Sequence, residues 1–408
     1  VVYAGLHRGV GLAALALVRV VALAVVVWAM LRRAGRDAHP VIALGGVAFA
    51  VVAYGDRFES PRPVGVSYAF ALAVASLAFD VAPRPRHAVA LAGAMLVWAN
   101  AHGSFPLGLV MVALAALLPG ARRVRLAALG ASLAATLVNP YGLAMHGLVG
   151  RYVSASSRDA TALVHARILE WHPLWRDPLR VASAPALGGA IVLLAVWLYA
   201  LRDARWRPRA ALGLGLLGLA LLHNRHLQLA GLVGFALAAG PLDSLVRRFL
   251  PSEPRVLSAA RLPALALVAG LLAWVPVAVT RAPGDWIDAS REDEAFDALI
   301  ARVPDGARVF VALPFTGYAI WRGYPRVRVF FDTRNDCHPY DALREGLDLN
   351  DALLAPEVAS VTLARHATSH AIVLCHSRAR RSFEGWALVA RRGALCLFAP
   401  TRAGAGPP

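Results

Sequence analysis

The sequence has no lysine; all 42 of its basic side chains are arginine. This reads as the codon usage of a GC-rich genome and not as a device for phosphate recognition. The net charge of +17 is also unevenly placed. Residues 285–408 hold 15 Arg and 15 Asp or Glu, so they are neutral, while the first 284 residues hold 27 Arg against 10 acids. All of the excess lies between hydrophobic runs. Membrane topology accounts for it there, and nucleic-acid binding does not. Cysteine is scarce. Cys337, Cys375 and Cys396 form no CxxC pair and no zinc spacing, and an odd number leaves at least one thiol unpaired. No Walker A sequence, no GxSxG elbow and no Rossmann fingerprint occurs. The first residue is Val1, not Met, which predicts an N-terminally incomplete or processed chain.

What the sequence has is apolar surface. It is 58% hydrophobic with a mean hydropathy of +0.56, too apolar for an ordinary soluble protein. Ten candidate spans fall at 9–31, 41–54, 64–82, 88–99, 105–119, 126–138, 184–201, 210–222, 227–240 and 262–280. Several are shorter than the roughly 20 residues a crossing helix needs. Sixteen arginines lie in alternate loops, among them Arg33, Arg36, Arg125, Arg209 and Arg247. Short Arg-rich loops face the cytoplasm. The opposite loops, the 139–183 connection and the C-terminal region are then expected outside.

The expected architecture is an α-helical polytopic membrane domain of about ten transmembrane helices over 1–284, followed by a small α/β extracytoplasmic domain over 285–400. Residues 401–408 read as a disordered tail. Within 139–183, aromatics alternate with arginines, as in helices lying along a membrane interface. In the C-terminal domain, Arg291–Arg302 and residues 340–347 and 356–367 read as helices. Val309–Leu313, Val327–Phe331 and Ala371–Leu374 read as strands, with a terminal hairpin over Trp386–Arg391 and Ala394–Phe398.

Polar knots recur at the outer ends of the spans. Trp98-Ala99-Asn100-Ala101-His102-Gly103 joins two apolar runs. Polar residues at membrane depth are costly and point to function, though Asn100 can also cap a helix and Gly103 end one. Asn139-Pro140-Tyr141-Gly142 is a turn by composition. In Glu170-Trp171-His172-Pro173, a carboxylate beside an imidazole can take a proton, or the stretch is an interfacial helix that stops at proline. Arg225, between His223 and His226, can hold a lipid phosphate or simply snorkel. Asp56, Glu59 and Arg62 share one short outer loop, where an acid can act as a base. Asp332 and Arg334 follow the strand 327–331, the position where α/β domains often carry functional loops.

In this order Arg62-Pro63, Trp-Ala-Asn-x-His-Gly (98–103), Asn-Pro-Tyr-Gly (139–142), Glu-Trp-x-Pro (170–173) and Phe-x-Asp-x-Arg (330–334) resemble a group of bacterial polytopic proteins described as GT-C-like. These are similar to the dolichyl-phosphate-mannose protein mannosyltransferases and the oligosaccharyltransferases. The resemblance implies a glycosyltransferase of the bacterial cytoplasmic membrane, moving a sugar from a polyprenyl-phosphate donor on the outer face. Its partners would be that lipid donor and membrane lipids, with no nucleic acid. It implies Asp56, Glu170 and His102 as catalytic candidates. Asn100, Arg62, Asn139, Tyr141, His172, Arg225, His226, Asp332 and Arg334 would contact substrate. No ligand spacing demands a metal, and a divalent ion fits such chemistry. One departure stands out: GT-C enzymes keep an acid in the first outer loop, and nothing here matches that loop. Either the acid lies upstream or Asp56 takes a similar place. The other readings are a lipid or glycan flippase and a non-catalytic membrane assembly protein.

Overall fold

In the computed structural model, residues 12–54, 63–80, 83–154, 163, 166–176, 178–249, 291–332 and 338–401 are described. The chain divides into two compact units. One is Val1–Ser154 with Ile168–Pro283; the other is Ala155–Arg167 with Gly284–Pro408.

The first unit is helical. Its helices are α1 (Leu12–Asp37), α2 (Pro40–Tyr54), α3 (Pro63–Ala78), α4 (Pro85–Ala101), α5 (Pro106–Ala116), α6 (Arg122–Leu137), α7 (Leu143–Ser154), α8 (Ala184–Ala200), α9 (Arg207–Leu222) and α10 (Leu227–Phe249). Proline opens α2 to α5. It gives up an N–H that would have no partner in the first turn, and its φ already suits a helix. The apolar runs of the sequence fall on these helices, apart from 262–280, which lies outside the described residues. Among the described residues, only Asn224–Arg248 is long and apolar enough to cross a membrane by length and composition; Pro40–Tyr54, Val64–Ala78, Pro106–Ala116 and Ala184–Ala200 are apolar but shorter. Of the ten expected crossings, one thus passes by length and composition together among the described residues. At 1.5 Å per residue, a helix of 15 to 17 residues covers about 25 Å of a core about 30 Å thick.

Helix α10 lies at the centre, with Ala230, Leu232, Val233, Ala236 and Leu237 buried. Close approach to its neighbours depends on glycine. The Tyr54 ring sits against Gly189 of α8 and Gly231 of α10, where any Cβ would collide with it. Its hydroxyl donates to the Ala186 carbonyl at 2.7 Å. Trp197 of α8 packs on Gly213 of α9 in the same way.

The bundle has two polar ends, because α9 has Arg209 in its first turn and is followed by His223 at its other end. At the first end, three arginines that the sequence placed in loops are buried: Arg33, Arg125 and Arg209. Arg125 donates to the carbonyls of Ala78 (3.0 Å), Asp80 (2.9 Å), Ala115 (3.3 Å) and Gly120 (3.2 Å). One guanidinium thus caps the C-terminal ends of α3 and α5, where carbonyls lack intrahelical partners and the helix dipole favours a cation. Arg33 (2.6 Å) and Arg209 (2.8 Å) both pair with Asp37, and Arg209 also donates to the Phe79 carbonyl. Arg36 reaches Asp80, and Asp243 accepts from the His39 N–H.

The second unit carries a mixed five-stranded sheet in the order β2-β1-β3-β5-β4. The strands are β1 (Arg308–Val311), β2 (Arg328–Val329), β3 (Thr368–Leu374), β4 (Trp386–Arg392) and β5 (Leu395–Pro400). β1 is parallel to β2 and β3, while β5 is antiparallel to β3 and β4. Alternation along β1 splits the core. Val309 and Val311 join Phe296, Ile372 and Leu397, whereas Phe310 meets Phe330, Phe331 and Phe383. The helices are α11 (Arg291–Ile300), α12 (Thr316–Gly323), α13 (Tyr340–Asn350) and α14 (Pro356–Arg365). Sequence reading missed α12, and β2 is shorter than expected. The tail beyond Thr401 lies outside the described residues. A disulfide joins Cys375 to Cys396 and ties the end of β3 to its neighbour β5. Arg167 forks onto Asp348 and Asp351 at the end of α13.

Candidate functional site

At the second end of the first unit, two short connections are bonded together. One is the single 3-10 turn Leu169–Trp171; the other is the turn Asn224–His226 between α9 and α10. The Asn224 side chain is buried and donates to the Leu169 carbonyl at 2.6 Å, and its backbone N–H donates to the His172 carbonyl at 3.1 Å. Leu174 N–H bonds to the Leu221 carbonyl at 2.9 Å. The Trp171 carbonyl lies 2.8 Å from His223 Nδ1. A carbonyl only accepts, so His223 carries its proton on Nδ1.

This zip places the charged groups. The Arg225 guanidinium lies over the Trp171 ring, 4.1 Å from its centroid. Its Nη1 is 3.8 Å from Glu170 Oε1, and both side chains are only partly exposed. Stacking uses the face of the guanidinium plane and hydrogen bonds leave through its edge, so an anion and Trp171 do not compete for Arg225. Trp171 meets His223 edge-on, and His223 meets His226.

His102 follows the last turn of α4 and feels this cation. Burial, and then the charge of Arg225, lower its pKa to about 4, so the imidazole is neutral at pH 7. Its Nδ1 lies 2.9 Å from Ser104 Oγ.

Glu170 and Arg225 thus meet at Trp171, His226 meets His223, the charge of Arg225 reaches His102, and His172 contributes its backbone to the zip. Asn100 has an architectural task. Its amide donates to the carbonyls of Leu96 and Val138, both at 2.8 Å, and so ties the end of α4 to the end of α6. Asn139 closes its own turn, accepting from the Tyr141 N–H at 2.8 Å, and Tyr141 is exposed. Asp332 belongs to the second unit, where it is buried beside His338 at 3.4 Å. Asp56, Arg62 and Arg334 lie outside the described residues. Among the described residues, no group of three or more His, Cys, Asp or Glu is placed to hold a metal ion. Sequence reasoning missed Trp171 as the platform for Arg225, Asn224 as the clasp, and Ser104. The i, i+2 spacing of His102 and Ser104 was the available signal for the last.

No family model and no curated protein matches the sequence. Among solved structures, the fold is similar to that of the Archaeoglobus fulgidus oligosaccharyltransferase in its apo form, with a TM-score of 0.51 and 11% sequence identity. The match covers 89% of this chain and 59% of that one, so the chain spans less than two thirds of the protein it resembles. The likeness is one of fold.

Proposed function

We propose that the chain is a GT-C-like membrane glycosyltransferase that moves a sugar from a polyprenyl-phosphate donor to an acceptor on the outer face of the cytoplasmic membrane. The observation that carries this reading is the pairing of Arg225 with Trp171 and Glu170 in a fold similar to an oligosaccharyltransferase. In this reading an acceptor hydroxyl attacks the anomeric carbon and passes its proton to a carboxylate. Glu170 is the candidate base in place, and Asp56 is the other. The bond from the anomeric carbon to the phosphate oxygen breaks, and the lipid phosphate leaves with the electron pair. Arg225 receives the phosphate through paired hydrogen bonds, which are strong where water is scarce.

Two further observations support the membrane setting. Ile191, Val192, Leu194 and Leu198 of α8 are exposed, an apolar face that suits lipid better than water. The Cys375–Cys396 disulfide suits an oxidising compartment, as expected for a second unit outside the cytoplasm.

The test is transfer of labelled sugar from polyprenyl phosphate in membranes that contain the full-length protein. Arg225→Ala should remove most of the transfer, and Arg225→Lys should restore only part, because lysine keeps the charge and loses the fork. Wild-type transfer by Arg225→Ala at equal abundance would sink the assignment of Arg225. No transfer from any lipid-linked donor would favour the flippase or assembly reading.

A further inference from the structure

We infer that Ser104 is a positioning residue for His102: its hydroxyl and its backbone N–H together hold the imidazole as the Nε2–H tautomer, so that a neutral donor is offered to a phosphate or sugar oxygen. The role of that donor rests on the reading of the Arg225 cluster as the ligand site; the tautomer does not.

The direction of the hydrogen bonds follows from groups that have no choice. A backbone N–H only donates, and that of Ser104 lies 3.2 Å from His102 Nδ1. Nδ1 must therefore present its lone pair. An indole N–H also only donates, and Trp98 Nε1 lies 3.3 Å from Ser104 Oγ. The hydroxyl oxygen accepts there, and its own proton is directed to Nδ1 at 2.9 Å. The run is Trp98 N–H to Ser104 O–H to His102 Nδ1. Its first member is fixed by packing: Trp98 is fully buried and stacked on Phe70. The opposite tautomer would set the Nδ1–H against the Ser104 N–H, two donors facing one another. With Nδ1 engaged twice, the imidazole proton resides on Nε2. In the reading of the Arg225 cluster as the ligand site, this neutral N–H and the guanidinium form a pair of unequal donors. Such a pair suits an oxyanion whose charge grows as a bond breaks.

The experiment is nitrogen-15 NMR on the histidine-labelled full chain in nanodiscs, with His102 assigned by its loss in His102→Gln. In the wild type, His102 should show a protonated Nε2 and an unprotonated Nδ1 between about pH 5 and pH 8. Ser104→Ala should give a mixture of tautomers, and Ser104→Thr, which keeps the hydroxyl, should restore the single one. In the transfer assay, Ser104→Ala should lower kcat/KM by about tenfold, and Thr should recover most of it. A protonated Nδ1 in the wild type would overturn the proposal. So would an unchanged single tautomer in Ser104→Ala. A serine that only supports the fold would lower the melting temperature and leave the tautomer alone. If no variant or wild-type chain transfers sugar, the fault lies with the functional reading, and the wild-type spectrum still decides the tautomer.

Discussion

His102 is a histidine whose charge the fold has already settled. Its folded pKa, about 4, lies below the ordinary value of 6.5. Between those values the unfolded chain binds a proton that the native chain refuses, so stability rises with pH across that window and is lost as pH falls through it. We predict that thermal unfolding of the full chain shifts to lower temperature between about pH 6.5 and pH 4, and that His102→Gln removes part of that slope. An equal slope in the variant would assign it to other groups. Asn100 shows the reverse relation between sequence and role. A polar residue at the end of an apolar run looks like chemistry, but its amide donates to two backbone carbonyls, those of Leu96 and Val138. Sequence cannot separate these cases, because a carbonyl acceptor is present at every position and leaves no mark in the residue order. The burial of Arg33, Arg125 and Arg209 was hidden for the same reason. Arg225 stood out in the sequence as a cation squeezed between two apolar runs, while its stacking on Trp171 left no mark there.

Helices were the most legible elements, because prolines such as Pro40, Pro63, Pro85 and Pro106 mark where they begin and apolar runs mark their length. Their contacts were not legible. The glycines of α9 illustrate this. Gly213 lies under the Trp197 ring with no room for a methyl group, whereas Gly215 and Gly218 have nothing within 4 Å of an added Cβ. Gly213→Ala should destabilise the bundle by about 1–3 kcal/mol through overpacking. Gly215→Ala should be neutral or stabilising by up to about 1 kcal/mol, since alanine is the better helix former. Thermal unfolding of the two variants in detergent separates them, and equal melting temperatures would contradict the packing described for Trp197. In the second unit, α12 escaped notice because eight residues are too few for a periodic pattern to stand out. β1 was plain because Val309, Phe310 and Val311 form a short apolar run.

For the whole molecule, the disulfide bears on where the second unit resides. A reporter fused after Arg402 should be active only when exported, and cytoplasmic activity would overturn the topology. Cys375→Ser with Cys396→Ser should cost about 3 kcal/mol in that unit, the loop-closure entropy of a bridge of this span. Limited proteolysis against urea would measure it. The caps at the other end of the bundle have a meaning in time. A chain is made from its N-terminus, and the carbonyl ends of α3 and α5 emerge from the ribosome 47 and 10 residues before the arginine that satisfies them. Nascent chains stopped before Arg122 therefore carry two helix ends with no cap, and chains stopped after Leu137 carry the finished clasp. Arrested at those two lengths, the shorter should be cleared by membrane quality-control proteases and the longer spared. In the longer chain, Arg125→Ala should bring the clearance back.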